Sequence, residues 1–317
     1  MQGLIKRTVY LSCLGIDIYM LALFMTQSAM TTGGLFVIDL VPELTDYAGL
    51  LDGLIMIASV ALGLILLWLF IHEMHDGEFL FHGRKPAAVI LEKHRSFGLT
   101  RCLSFAALMF AIQVLSIIVL NITELILNSF GFTVAESPAL NADYSSSILM
   151  LLYVLLIGPI AEELVFRGFL LKALAPCGRV YAIVVSALMF SLMHGDIQQV
   201  FFAFAAGLVF GYVATEYSIY ASLILHIINN GLYGELLAYL AEHFPENVYA
   251  AVSCLLALVC IIVTVMMIIR NRGRLKAYIR EYPNAQGAYA ALKNRWFVAF
   301  AACMIAMTCS TVARMQY

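Results

Sequence analysis

Windows of about 20 consecutive apolar residues recur along this 317-residue chain, the length a helix needs to cross the roughly 30 Å hydrocarbon core of a bilayer. They fall near 10–38, 50–72, 99–127, 147–175, 180–194, 197–216, 219–240, 248–269 and 296–313. With no water at that depth, each window must satisfy its own backbone, and a helix does so. Composition agrees: 63% of residues are apolar, only 12% are charged, and the mean hydropathy is +0.93, values that a water-soluble domain of this size would not tolerate on its surface. The expected fold is an all-α polytopic membrane protein with about nine transmembrane helices. The first window follows Lys6 and Arg7, as a signal peptide would, but it runs past Gly33 without a small-residue cleavage site and reads as a retained first span.

Basic residues test this segmentation independently, because cytoplasmic loops collect Lys and Arg. Nine alternating spans from an inside N-terminus place Lys6, Arg7, Arg84, Lys85, Lys93, Arg95, Arg101, Lys172 and Arg179 inside, then Arg270, Arg272, Arg274, Lys276, Arg280, Lys293 and Arg295. The opposite loops, around Asp39 to Asp52, Asn128 to Ser147 and Glu242 to Asn247, carry none, which leaves Arg314 alone on the far side. The expectation is a multi-pass protein of the cell membrane, N-terminus cytoplasmic and C-terminus extracytoplasmic. A net charge of −2 without long like-charge runs gives no nucleic-acid footprint. The expected partners are membrane lipid and a membrane-associated peptide or protein.

Two soluble segments stand out. His72, Glu73, His75, Asp76, Glu78, His82 and His94 are dense enough to raise a metal site, but H-E-x-H is not the H-E-x-x-H spacing that sets two imidazoles on one helical face, and a solvated loop is the simpler reading. The stretch from Arg270 to Arg295, with Tyr278, Tyr282, Tyr289 and Trp296, reads as a basic interfacial segment on anionic headgroups. The seven cysteines form no C-x-x-C pair and read as buried small hydrophobes. Gly207 and Gly211, with Ala203 a turn earlier, make a small-residue face for close packing inside the chain.

Against this apolar background three polar groups fall in successive membrane segments: Glu162-Glu163-Leu164-Val165-Phe166-Arg167, Phe190-Ser191-Leu192-Met193-His194 and His226-Ile227-Ile228-Asn229-Asn230. A charge at membrane depth is expensive and by default functional. Glu163 and Arg167, at i and i+4, share a helix face and can pair, which leaves Glu162, about 100° around the helix, for proton transfer. His226 and Asn230 are also i and i+4, so the amide can orient the imidazole or bind beside it. Pro159, one turn before the glutamates, frees a backbone carbonyl and can kink the helix. Counted from Lys172, Arg179 and Ser218, Glu162, His194 and His226 lie about 15, 22 and 12 Å deep, with His194 the outlier.

The ordered motifs E-E-x-x-x-R, F-x-x-x-H and H-x-x-x-N resemble those of the CPBP family, the CAAX prenyl endopeptidases of the Ras-converting type and their bacterial relatives, also called the Abi family. The resemblance covers about residues 147–240, and implies a CPBP-type catalytic core there, between N-terminal helices with a cytoplasmic loop (1–146) and C-terminal helices with a basic loop (241–317). It implies an intramembrane endopeptidase in which Glu162 is general base on a water, His194 and His226 complete the site, and Asn230 helps hold the oxyanion. Glu163, Arg167 and Phe190 match the supporting positions. Members have been called both metalloproteases and metal-free glutamate proteases; if Zn2+ is bound, Glu162, His194 and His226 are its ligands. Bacteriocin self-immunity or peptide maturation is associated with many bacterial members. The competing classes are a proton-coupled transporter, for which the chain lacks a visible repeat, and a catalytically inactive membrane scaffold.

Overall fold

The computed structural model describes residues 2–73, 81, 83–134, 147–281 and 293–314. Helices α1 (Gln2–Leu40) and α2 (Ala48–Glu73) form a hairpin. A single turn, α3 (Pro86–Ile90), precedes α4 (Leu99–Ser129), which runs into a three-residue strand, β1 (Phe132–Val134). The stretch α5 covers Ile148–Cys177. Then follow α6 (Arg179–Leu192), α7 (Ile197–Glu216), α8 (219–243), α9 (Glu246–Glu281), α10 (Arg295–Ser310) and β2 (Val312–Arg314).

Each apolar window coincides with one of these helical stretches, but among the described residues only six helices are long and apolar enough to cross a membrane. These are Ile5–Leu40, Pro42–His72, Leu99–Ser129, Ile148–Cys177, Ile197–Glu216 and Glu246–Arg280. The shortfall from nine has a physical reason. With 14 and 16 residues, α6 and α10 rise only about 21 to 24 Å, short of a ~30 Å core. The stretch α8 has its apolar run broken by His226, Asn229, Asn230 and Glu235. In the opposite sense, α9 is longer than a membrane needs: its 36 residues rise about 54 Å. The basic segment after Arg270 therefore continues as helix to Glu281, while Tyr282 and Tyr289 lie outside the described residues.

Polar contacts between elements sort the helix ends into two levels. At one level Ser147 Oγ donates to the Gly49 carbonyl at 2.7 Å, and the Ile197 amide donates to Thr311 Oγ1 at 3.4 Å. There too β1 pairs antiparallel with β2, Phe132 opposite Arg314 and Val134 opposite Val312. At the other level Arg295 donates to the Tyr10 hydroxyl at 2.9 Å, the His94 amide to the Tyr217 carbonyl at 2.8 Å, and Glu216 meets Arg95 at 3.5 Å and Arg179 at 3.4 Å. Arg95, Arg179 and Arg295 belong to the second set, and Arg314 to the first.

Close packing relies on glycine. A Cβ on Gly207 would stand 3.0 Å from Ala187, and one on Gly211 would stand 3.1 Å from Ile183 Cγ2, so the small-residue face joins α7 to α6 within the chain, as expected. The dense loop His72–His94 is only partly described: His75, Asp76, Glu78 and His82 lie outside. His72 stacks on Trp68 at 5.1 Å, and Glu92 pairs with Arg84 at 3.2 Å, which holds its carboxyl below the usual range. Burial lowers the pKa of His94.

Candidate active site

The glutamates lie where α5 departs from regular α geometry. A π turn at Tyr153–Ile157 closes when the Gly158 amide donates to the Tyr153 carbonyl, the α turn Gly158–Glu162 follows, and a second π stretch runs over Glu163–Leu171. Pro159 cannot donate to the preceding turn, so the expected kink is realised as wider turns on both sides of it. In α8 the π stretch Asn229–Leu236 begins three residues after His226. Both helices that carry the polar groups thus widen at the site, a habit of π turns in functional helices.

Around Glu163 the geometry is tight. Arg167 lies 3.2 Å from Glu163 Oε1, and His226 Nδ1 donates to the same oxygen at 3.1 Å. Arg167 is wholly buried and Glu163 nearly so. Aromatic faces take up what hydrogen bonds leave: the guanidinium is 4.1 Å from the Phe190 centroid and 5.2 Å from that of Phe210, and the His226 ring stacks on Phe210 at 4.7 Å. Ser222, one turn before His226, is buried and donates to the Phe210 carbonyl at 3.1 Å.

Glu162 differs. Its side chain keeps 19% of its surface, and its Oε2 lies 3.5 Å from His226 Nε2. His226 thereby stands between the two carboxylates, one on each ring nitrogen. Because Nδ1–H is given to Glu163, the edge facing Glu162 is Nε2.

His194 occupies the turn between α6 and α7, where Gly195 takes a left-handed conformation (φ +60) and the Asp196 carboxylate accepts from the Gln198 amide at 2.8 Å. The helix before it is short, and the ring folds back one turn so that Nδ1–H donates to the Phe190 carbonyl at 2.9 Å. Phe190 touches both imidazoles edge to face, at 5.1 Å from His194 and 6.0 Å from His226. Asn230 does not orient His226. Its Nδ2 donates to the Val154 carbonyl at 3.0 Å, and its Oδ1 accepts from Asn229 at 3.2 Å. The π turn that starts at Asn229 breaks the i, i+4 alignment on which the expectation rested.

Both histidines hold Nδ1 on an oxygen, as metal-ligating imidazoles commonly do. Among the described residues, however, no three His, Cys, Asp or Glu side chains are gathered closely enough to hold an ion.

Two glutamates, an arginine and two imidazoles brought together from α5, α6 and α8 are an arrangement that can be compared with known proteins. Residues 144–232 match the family described as type II CAAX prenyl endopeptidase, Rce1-like. That segment is Rce1-like. It contains Glu162, Glu163, Arg167, Phe190, His194, His226 and Asn230, and the match supports a CPBP family protease. No curated protein and no solved structure matches the chain. Within the core, Phe210 and Ser222 escaped sequence reasoning. Ser222 could have been found from its i, i+4 relation to His226, whereas nothing marks Phe210 among twenty phenylalanines.

Proposed function

We propose that the protein is an intramembrane endopeptidase that hydrolyses a peptide bond of a membrane-associated peptide or protein, with Glu162 as general base. The observation that carries this reading is His226 held between Glu163 on Nδ1 and Glu162 on Nε2. Glu163 is fixed by Arg167 and orients the ring, while Glu162 keeps an open face for a water. In the proposed reaction Glu162 takes a proton from that water as its oxygen attacks the carbonyl carbon, the carbonyl oxygen gains the charge, and Asn230 donates its second N–H to it. Collapse breaks the C–N bond, and the proton held by Glu162 passes to the leaving nitrogen. Bacteriocin self-immunity or peptide maturation is the physiological setting that the family resemblance offers.

Zn2+, where bound, would take Glu162 and the Nε2 atoms of His194 and His226, and would polarise the water. No step above is routed through it. The test is cleavage of quenched-fluorescence peptides, farnesylated on cysteine or not, by detergent-purified protein before and after chelation. Cleavage that survives chelation is the result expected from the side-chain spacing, whereas loss restored by Zn2+ alone would assign the three side chains as ligands. Absence of any difference between wild type and His226→Ala on every peptide would overturn the peptidase reading.

The orientation proposed with this site is nine alternating passes, N-terminus inside. Its support is the sorting of helix ends into two levels with the basic residues concentrated at one. A single cysteine at Lys85 or Lys276, in a cysteine-free background, is expected to resist an impermeant thiol reagent in intact cells and to react after permeabilisation. Labelling in intact cells would reverse the orientation.

A further inference from the structure

The carbonyl that Asn230 takes on α5 is one that the sequence leaves without its helical donor. In the π turn Tyr153–Ile157 the Gly158 amide is given to Tyr153, so the α-register donor of the Val154 carbonyl is spent. The π-register donor would come from residue 159, and Pro159 has no N–H. Asn230 Nδ2, on α8, fills the place at 3.0 Å. The two helices touch there: a Cβ on the next residue, Gly231, would meet Leu155 Cδ2 at 3.5 Å.

Because a carbonyl only accepts, the Asn230 atom facing Val154 is the nitrogen, and its oxygen is turned to the neighbouring side chain. There Asn229 Nδ2 donates to Asn230 Oδ1 at 3.2 Å. One bond alone would let the amide plane swing about the N···O line. Two bonds, at opposite ends of the amide, fix the plane and with it the direction of the second Nδ2–H, which neither bond uses. The other end of Asn229 is unmatched: its Oδ1 is buried and has no hydrogen-bond partner among the described residues. Such an acceptor lowers stability, so the fold gains little from this side chain. The backbone is held from the other side, where the Tyr233 hydroxyl donates to the Ala106 carbonyl at 3.0 Å and its ring lies 4.7 Å from Phe110, both on α4.

We infer that Asn229 is a positioning residue of the site: through Asn230 Oδ1 it holds the Asn230 amide in the one plane that turns the second N–H to the scissile carbonyl oxygen. The inference rests on the peptidase reading and on Asn230 as the oxyanion donor within it. Asn229 touches no reacting atom and gives up no proton; its contribution is the direction of its neighbour's donor, where a small misplacement is expensive.

The test is a double-mutant cycle in detergent, on a peptide that wild type cleaves, with Asn229→Leu, Asn230→Ala, the two combined, and His226→Ala as the control. Loss of the donor itself in Asn230→Ala predicts a fall in kcat of about 10²- to 10³-fold. Asn229→Leu, which keeps the donor but frees its plane, is expected to lower kcat about 10-fold with KM nearly unchanged. Its melting temperature should be level with wild type or higher, because leucine of similar volume replaces a buried carbonyl that had no partner. The double variant should be no slower than Asn230→Ala alone, since a residue that acts through Asn230 then has nothing left to position. A further fall of about 10-fold in the double variant would make Asn229 independent of Asn230 and overturn the inference. Wild-type kcat in Asn229→Leu, or a loss of melting temperature in step with kcat, would overturn it too. Full activity in Asn230→Ala with His226→Ala inactive would remove the donor that Asn229 positions and leave the peptidase reading standing. Cleavage by His226→Ala at the wild-type rate would remove the peptidase reading itself, and the role of Asn229 with it.

Discussion

Glu162→Gln is expected to abolish peptide hydrolysis while leaving the protein folded. Positioned general bases contribute about 10²- to 10⁴-fold, and an amide of the same shape cannot take the water's proton. Folding should survive because Glu162 is the least committed polar group of the cluster: it keeps open surface, and its one close ionic contact among the described residues is the 3.5 Å approach to His226. The measurement is kcat on a cleaved peptide together with a melting curve in the same detergent. Loss of folded protein in step with activity would assign Glu162 to the structure, leaving Glu163 as the candidate base. Full hydrolysis by the folded variant would remove Glu162 as the general base.

The parts of the fold legible in the sequence are those the bilayer dictates directly. Long apolar windows must be helices, so the six long spans and the Glu162, His194 and His226 segments could be placed from length and hydropathy. Whether a short window crosses is decided by its neighbours. Helix α6 ends in the Gly195 turn and α10 leads into the β1–β2 pair, and no local property of either segment foretold these ends. The pairing of Glu163 with Arg167 was legible because it needs only α-helical spacing. The pairing of Glu163 with His226 was not, because it joins residues 63 apart in sequence. Asn230 shows the limit most clearly. The i, i+4 rule assumes an α-helix, and a π turn over Asn229–Leu236 redirects the amide to Val154 in another helix. Hydrogen-bond register of this kind is set by packing between helices and leaves little trace in composition.

Arg167→Ala is expected to cost folding more than any other single change in the site. Arg167 has no exposed surface and Glu163 has 1%, and removing one member of a buried pair strands the other at about 3 to 5 kcal/mol. The loss includes the two aromatic contacts, since Phe190 and Phe210 would face a void where the guanidinium lay. The expected measurements are a lower yield of folded protein and a melting point well below wild type. A second variant separates the ion pair from the packing. Glu163→Gln combined with Arg167→Met removes both charges and refills the space, and should recover much of the stability, because a buried pair replaced by apolar groups of similar volume is often neutral. That double variant should nonetheless remain inactive, because the neutral amide put in place of the Glu163 carboxylate would not offer His226 Nδ1 a charged acceptor, and the ring would lose the tie that turns Nε2 toward Glu162. Recovered stability with recovered activity would show that Glu163 matters only as a partner for Arg167. Wild-type stability for Arg167→Ala with activity alone lost would move Arg167 from the scaffold of the site into its chemistry.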